Sequence, residues 1–286
     1  MFYTLGIAGC GFVGSAVASG FEGIDDVHLM LVDPHKYGDL SETIKDTVKE
    51  AQMIFLCLPT PSVKGEYDVD ISIVDSVLSE IESLYYNGIV VIKSSITPHH
   101  MNALIDKYFD LRIVYNPEFL TERNAAHDFQ NPFCQILGGD MRDCQEVEDL
   151  YRQYSRVKTV PVFKTDITTA CLAKYALNSF YATKVTFMNE LYHLHRNSDA
   201  VSSWEDFTEI LMTDPRMGNS HMSVPGSDGE FGFGGNCFPK DTKALLEYSE
   251  NVVGIVFDLL RKAVEKNEEV RAGASPGKPL PYYDGL

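Results

Sequence analysis

The sequence predicts an α/β fold: an N-terminal Rossmann-type doubly wound parallel sheet, followed by an all-helical domain built around one long central helix. Three observations predict it. Short β-rich runs alternate with helical patterns through the first half. Those runs are continuously apolar, as strands covered on both faces are. From Asp166 to about His195 a helical pattern then continues with no Gly or Pro, unusually long for a globular helix.

In chain order, strands are predicted at Tyr3–Ala8, Val27–Asp33, Met53–Leu58, Ile89–Lys93, Arg112–Tyr115 and Cys134–Leu137. Helices are predicted between them at Val13–Phe21, Ile73–Tyr86 and Pro98–Tyr108, with Asn87-Gly88 turning the chain into the fourth strand. After the long helix, shorter ones are expected at Ser203–Met212, Asp241–Glu250 and Val253–Val270. Asp214 to Pro239, rich in Gly, Pro, Asn and Ser, is a long loop, and long loops inside compact domains are usually functional. The domains expected are 1–160 for the sheet, 161–271 for the helices and 272–286 for a Gly/Pro-rich tail.

Composition narrows the function. The chain has 286 residues and a formal net charge of -17, with 44% hydrophobic and 23% charged residues. So acidic a chain has no electrostatic reason to bind nucleic acid or an anionic membrane. A phosphate-bearing ligand would have to be held locally, by backbone amides and a few cations. There is no basic n-region before the apolar start and no bilayer-length apolar run. The six cysteines show no C-x-x-C pair, which suits reduced thiols in a cytoplasm.

Gly9-Cys10-Gly11-Phe12-Val13-Gly14 fits G-x-G-x-x-G between a predicted strand and helix. Gly9 permits the tight turn, Gly11 lets the backbone approach a pyrophosphate, and Gly14 permits close helix packing. The helix N-terminus then offers free amides to the phosphates. Asp33 ends the second strand, about 20 residues on, where a carboxylate would bind the adenosine ribose hydroxyls. It would repel a 2′-phosphate, so NAD is preferred over NADP, although His35 and Lys36 lie nearby. Pro59 and Thr60 follow the third strand, on the crevice side of such a sheet, or simply make a rigid turn.

The second informative segment is Gly232-Phe233-Gly234-Gly235-Asn236-Cys237-Phe238-Pro239-Lys240-Asp241. Its glycines free the backbone for close ligand approach. A thiol beside Lys240 and the start of a helix is expected to have a depressed pKa and to be a good nucleophile. The other five cysteines fit small buried residues. No second cysteine or histidine lies at metal-ligand spacing, and the eight histidines, including His99-His100 at a helix start, form no constellation along the sequence. No metal is expected.

Other positions stay open on the residues alone. Lys174 and Asn178 share one helix face, where the lysine either snorkels to solvent or points into a site. Glu118, in Asn116-Pro117-Glu118-Phe119-Leu120 after the fifth strand, fits a solvated loop charge as well as a site residue. Ser94-Ser95 fits a helix cap for the segment starting at Pro98.

Taken in order, these motifs resemble the UDP-glucose/GDP-mannose dehydrogenase family: the Gly9–Gly14 fingerprint, Pro59-Thr60-Pro61, Lys93-Ser94-Ser95, the Asn116–Leu120 segment, Lys174 with Asn178, and the Gly232–Asp241 loop. The resemblance covers residues 1 to about 250 and implies an NAD-dependent oxidation of a nucleotide sugar's primary alcohol to a uronic acid. Two hydrides leave in turn, through a thiohemiacetal and then a thioester on Cys237. It implies oxyanion stabilisation by Lys174 and Asn178, and proton transfer by Glu118 with Asp241 and Ser95 around a water. It gives Lys240 to a cofactor phosphate or the thiolate, and Phe119, Leu120, Phe231, Phe233 and Gly234 to the substrate pocket. Arg216 resembles the family arginine that reaches a neighbouring subunit's substrate, and the long helix suits a homodimer core.

UDP-glucose is the default substrate, with UDP-N-acetylhexosamines and GDP-mannose open. The family usually carries a further C-terminal Rossmann-like domain, and this chain ends at Leu286 where it would begin, so a short form lacking it is expected. Two alternatives stand: a single-hydride hydroxyacid dehydrogenase without a nucleophilic cysteine, and an NAD-binding protein without turnover.

Overall fold

The structure is a computed structural model and describes residues 2–63, 67–121 and 123–273. It divides into two compact units, residues 1–174 and 175–286.

In the first unit β1 (Tyr3–Ala8), α1 (Phe12–Phe21) and β2 (Val27–Val32) form the opening βαβ unit. Two short helices, α2 (Pro34–Tyr37) and α3 (Ile44–Glu50), lead to β3 (Met53–Leu56). Then come α4 (Ser72–Ser83), β4 (Ile89–Ile92), α5 (Pro98–Lys107), β5 (Arg112–Tyr115), α6 (Ala125–Gln130), β6 (Gln135–Gly139), α7 (Met141–Tyr154) and β7 (Val162–Thr165). The sheet runs β2-β1-β3-β4-β5-β6-β7. The chain leaves β1 for β2 on one side and crosses to β3 on the other, so the topological switch point lies between β1 and β3, where such folds bind ligands.

The sheet differs from the all-parallel expectation at one seam, because β6 runs antiparallel to β5. The connection between them contains only the six-residue α6. Its Phe129 packs on Phe21 of α1, with ring centroids 6.4 Å apart, instead of carrying the chain back along the sheet. The seventh strand, β7, pairs parallel to β6 and lies beyond the six strands that the sequence predicts. It is a half-exposed edge strand whose Lys164 binds Gln145 and Glu148 of α7, so it lacks the apolar run that marks the buried strands. Alternate residues of the central strands feed two cores. Ile54, Leu56, Val90 and Ile92 face one helical layer, and Phe55 and Val91 the other.

The long helix α8 (Ile167–Arg196) is continuous over 30 residues. The two units part within it, after Lys174, later than residue 160, because β7 extends the sheet and Ala170 and Cys171 pack into the sheet's core.

The second unit continues with α9 (Trp204–Met212), capped by a Ser203/Asp206 capping box, then α10 (Phe238–Glu247) and α11 (Asp258–Gly273). Met188, Trp204, Met222, Val224, Phe231 and Val270 form its core. Helix α10 begins three residues earlier than expected, because Pro239 fits a first helical turn. Helix α11 begins later than expected. A π-helical turn over Tyr248–Val252 and Gly254 at φ +79° break the chain first. The tail expected at 272–286 lies outside the described residues, apart from two residues that close α11.

Candidate active site

At the switch point, Gly9 sits at φ +83°, and a Cβ there would lie 2.6 Å from the Cys57 carbonyl oxygen. A Cβ on Gly14 would lie 1.8 Å from the Gly9 carbonyl oxygen, so these two glycines are needed for the turn itself. Gly11 is different: nothing lies within 4 Å of its Cβ position, and as N-cap of α1 it supplies no side-chain cap. The amides at the start of α1 therefore face an open cradle of the kind that takes a pyrophosphate. Phe12 is exposed and Val13 half-buried beside it.

Asp33 follows β2. Its Oδ2 accepts from the Cys10 amide at 2.8 Å and its Oδ1 from the Lys36 amide at 3.0 Å. Each carboxylate oxygen keeps lone-pair capacity for a further donor, such as a ribose hydroxyl. The Lys36 ammonium is turned onto the Cys10 carbonyl at 2.8 Å and Ser15 Oγ at 2.9 Å. These residues fit a dinucleotide cofactor whose ribose is unphosphorylated.

The loops after β3 and β4 are stitched together. Thr60 Oγ1 donates to the Ser95 carbonyl at 2.9 Å, while Ser94 Oγ donates to the Leu58 carbonyl and accepts from the Leu58 amide. Ser94-Ser95 is thus no helix cap: Thr97 holds the N-cap position of α5, because the serine hydroxyl at 94 is committed to the neighbouring loop. Pro59 is exposed and Ser95 half-buried.

After β5, Glu118 is buried and ion-paired. Lys174 donates to Glu118 Oε1 at 2.9 Å and to its carbonyl oxygen, while the Leu120 amide donates to Oε2 at 2.7 Å. The Lys174 ammonium also lies 5.3 Å from the centre of the Phe119 ring. Neither solvated reading of these two residues holds. Beside the pair, Glu118, Phe119 and Leu120 line an open cleft of about 260 Å³.

Beneath it lies a network that the sequence indicated only in part. Lys93 donates to Asn116 Oδ1 at 2.9 Å, Tyr151 donates to the same oxygen at 2.7 Å, and Asn116 Nδ2 donates to the Ile136 carbonyl at 2.9 Å. Burial pushes the Lys93 ammonium down to about 8.

In the second unit, Cys237 is half-buried at the N-cap position of α10. One turn on, Asp241 is fully buried. It accepts from Asn178 Nδ2 at 2.6 Å and Lys240 Nζ at 2.7 Å, while its amide donates to the Cys237 carbonyl at 2.8 Å. Lys240 is therefore engaged by its neighbouring carboxylate.

The glycine-rich loop is clamped by two asparagines that sequence reasoning missed. Asn189 Oδ1 accepts from the Gly232 amide at 2.9 Å, and Asn267 Oδ1 from the Phe233 amide at 2.6 Å. Asn267 Nδ2 returns a bond to the Phe233 carbonyl at 3.0 Å. Gly232 sits at φ +77°, and a Cβ there would meet Asn267 Oδ1 at 2.4 Å, so the clamp needs glycine at that position, whereas a Cβ on Gly234 would meet the movable ends of the Arg271 and Asp228 side chains. A buried asparagine spaced along a helical pattern would have been the only signal.

Phe231 and Phe233 are buried and support the loop from within, Phe231 in the core cluster of this unit. Arg216 is exposed and paired with Asp214.

Burial pushes the thiols of the other five cysteines up: Cys57 to about 12, Cys144 to about 11, and Cys10, Cys134 and Cys171 in the same direction. Among the described residues no helix is long and apolar enough to cross a membrane.

Residues 35–155 match the NAD binding domain of the UDP-glucose/GDP-mannose dehydrogenase family, and residues 168–269 match its central domain. The first match begins beyond the glycine fingerprint. A UDP-glucose 6-dehydrogenase of Rickettsia bellii (strain RML369-C) is 33% identical over 233 residues, 78% of this chain and 51% of that protein. This chain spans about half the length of the curated UDP-glucose 6-dehydrogenases it matches. The structure of a UDP-glucose dehydrogenase from the hyperthermophilic archaeon Pyrobaculum islandicum is similar at TM-score 0.78 and 25% identity, covering 94% of this chain and 68% of that one. A Mycobacterium tuberculosis 3-hydroxyisobutyrate dehydrogenase shares the fold at TM-score 0.74 and 14% identity, over 96% of both chains.

Proposed function

The chain belongs to the UDP-glucose/GDP-mannose dehydrogenase family, and from that membership we propose that it is an NAD-dependent nucleotide-sugar 6-dehydrogenase working through Cys237. The observation that carries the proposal is the Cys237 loop: a half-buried thiol at a helix start, with Asp241 one turn on gripping Asn178, within the central-domain match.

The cradle at Gly11 and the Asp33 carboxylate hold the cofactor, which supplies a hydride acceptor for each of two oxidations. The primary alcohol loses a hydride and a proton to become an aldehyde. The Cys237 sulfur adds to the aldehyde carbon, giving a thiohemiacetal whose loss of a second hydride and proton leaves a thioester. Water then cleaves the carbon–sulfur bond, releasing the carboxylic acid and restoring the thiol. Lys174 and Asn178 stabilise the oxyanions of these steps, which preorganised donors do without reorganising. The Glu118 carboxylate takes the protons, assisted by Asp241 and Ser95 around a water. Phe119 and Leu120 bound the sugar from the cleft beside Glu118. UDP-glucose is the substrate we favour.

We also propose a homodimer through α8. Phe180, Phe187 and Leu194 recur every seven residues and are 65%, 57% and 67% exposed, an apolar seam suited to a second copy. In such a dimer Arg216 would reach the neighbouring subunit's substrate. All six cysteines are thiols, which suits the reducing cytoplasm in which we place the reaction.

The test is NADH produced per sugar consumed, over UDP-glucose, UDP-N-acetylhexosamines and GDP-mannose. Two NADH per sugar, with a uronic acid as product, is expected. One NADH that survives Cys237→Ala would instead make the chain a single-hydride hydroxyacid dehydrogenase, whose fold it shares. Calorimetric binding of NAD⁺ without turnover on any sugar would make it a cofactor-binding protein.

A further inference from the structure

Two histidines at the start of α5 and a carboxylate from the loop after β3 lie outside every role assigned above. Asp68, His99 and His100 each offer one ligand atom, all within 4.8 Å of one another, and no other such trio occurs among the described residues. His100 Nε2 lies 2.9 Å from Asp68 Oδ2, and His99 Nε2 lies 3.9 Å from the same oxygen. Successive residues on a helix normally diverge by about 100°. Here the two rings lie with centroids 4.0 Å apart and converge on one carboxylate.

The carboxylate is itself fixed. The Val69 amide donates to Asp68 Oδ1 at 2.7 Å, which leaves Oδ2 to the imidazoles. Its loop is closed by backbone bonds from Val63 to Asp68 at 2.9 Å and from Asp70 to Pro61 at 2.8 Å. The three side chains are 22–25% exposed, sheltered yet open to an entering ion.

We propose that Asp68, His99 and His100 form a binding site for a divalent transition metal of the zinc class, clipping the loop after β3 to the start of α5. Two imidazole nitrogens and one carboxylate oxygen suit zinc, cobalt or nickel, whereas calcium and magnesium prefer oxygen alone. Tetrahedral zinc, with bonds of about 2.0–2.1 Å, sets its ligand atoms about 3.3 Å apart. The observed 2.9 Å and 3.9 Å bracket that spacing, so small side-chain rotations complete the geometry. Water takes the remaining position. The α5 dipole opposes a cation at this end, but weakly for a helix terminus open to solvent. The ion takes no part in hydride transfer. It tightens a loop whose other end, at Thr60, is tied to Ser95.

The test is cobalt titration of the whole chain after chelator treatment and dialysis, read by visible absorption and by metal analysis. We expect one cobalt per chain, displaced by zinc. Asp68→Asn and His100→Gln, each checked for native circular dichroism, should weaken binding at least about tenfold. Cys237→Ser should leave it unchanged. No stoichiometric uptake by the wild-type chain overturns the proposal. So does uptake that survives both ligand substitutions, or uptake lost with Cys237→Ser, which would put the ion on the thiol. Because the readout is metal content, this result is independent of whether the chain oxidises a nucleotide sugar.

Discussion

Lys174 holds the Glu118 carboxylate at 2.9 Å with both side chains almost out of water, at 3% and 6% exposure. Removing one partner strands a buried charge and costs about 3–5 kcal/mol, whereas removing both costs much less. Lys174→Met and Glu118→Gln should each lower the urea midpoint, and the double variant should recover part of the loss. For turnover no such recovery is expected. Each single variant should lose at least about a hundredfold in kcat, and the double at least as much. Recovery of turnover alongside stability would make the pair structural only.

Cys237→Ala removes the only sulfur that the proposed thioester can use. We expect kcat for uronic acid formation to fall by at least about a thousandfold, with NAD⁺ binding within a factor of about two of wild type. Calorimetry and product analysis by mass spectrometry check the two halves.

Thiol reactivity gives a test that needs no substrate. Burial holds Cys57 near 12 and Cys144 near 11, so neither has appreciable thiolate at neutral pH. Brief iodoacetamide treatment at pH 7.5, followed by peptide mapping, should modify Cys237 first. Cys57, like Cys237, is only half-buried, so equal labelling there would show that its thiol keeps an ordinary pKa.

Asn267 bonds both the amide and the carbonyl of Phe233. Asn267→Ala leaves those buried groups unsatisfied, at a cost of about 1–3 kcal/mol. The expected result is faster amide exchange across residues 231–236 and a fall in kcat larger than any change in NAD⁺ affinity. Unaltered exchange in that loop would show that Asn267 does not clamp it.

Lys93 sets a pH dependence of stability. Its folded pKa, about 8, lies below the ordinary lysine value, so between about 8 and 10.5 the unfolded chain binds more protons. Its contribution therefore makes stability rise with pH through that window, by up to about 3 kcal/mol. Between pH 8 and pH 10, urea unfolding should change more favourably for the wild type than for Lys93→Met. Parallel profiles would mean that Lys93 keeps an ordinary pKa in the folded chain.

Most strands that the sequence marks are buried on both faces and so form unbroken apolar runs, while β2, a partly buried edge strand, is marked by its own run of Leu, Met and Val. β7 escaped, since an edge strand carrying Lys164 has no such run. The direction of β6 escaped too, because it depends on where α6 packs and not on the residues of β6. The Cys237 loop was legible because its chemistry is contiguous: glycines, thiol, lysine and carboxylate follow one another. Glu118 was not, since a lone carboxylate after a strand looks the same whether solvated or buried.

What the sequence determined by itself is local in character: the glycine turn at Gly9–Gly14, the acid at Asp33, the uninterrupted helix through Lys174 and Asn178, and the nucleophile loop. Backbone sterics and short periodicities set these within a few residues. Tertiary structure alone decided which charges meet. Lys174 finds Glu118 across 56 residues, Asn178 finds Asp241 across 63, and His100 finds Asp68 across 32. Such pairs are fixed by packing, which removes side chains from water and leaves a buried charge or polar group only the partner that the fold supplies.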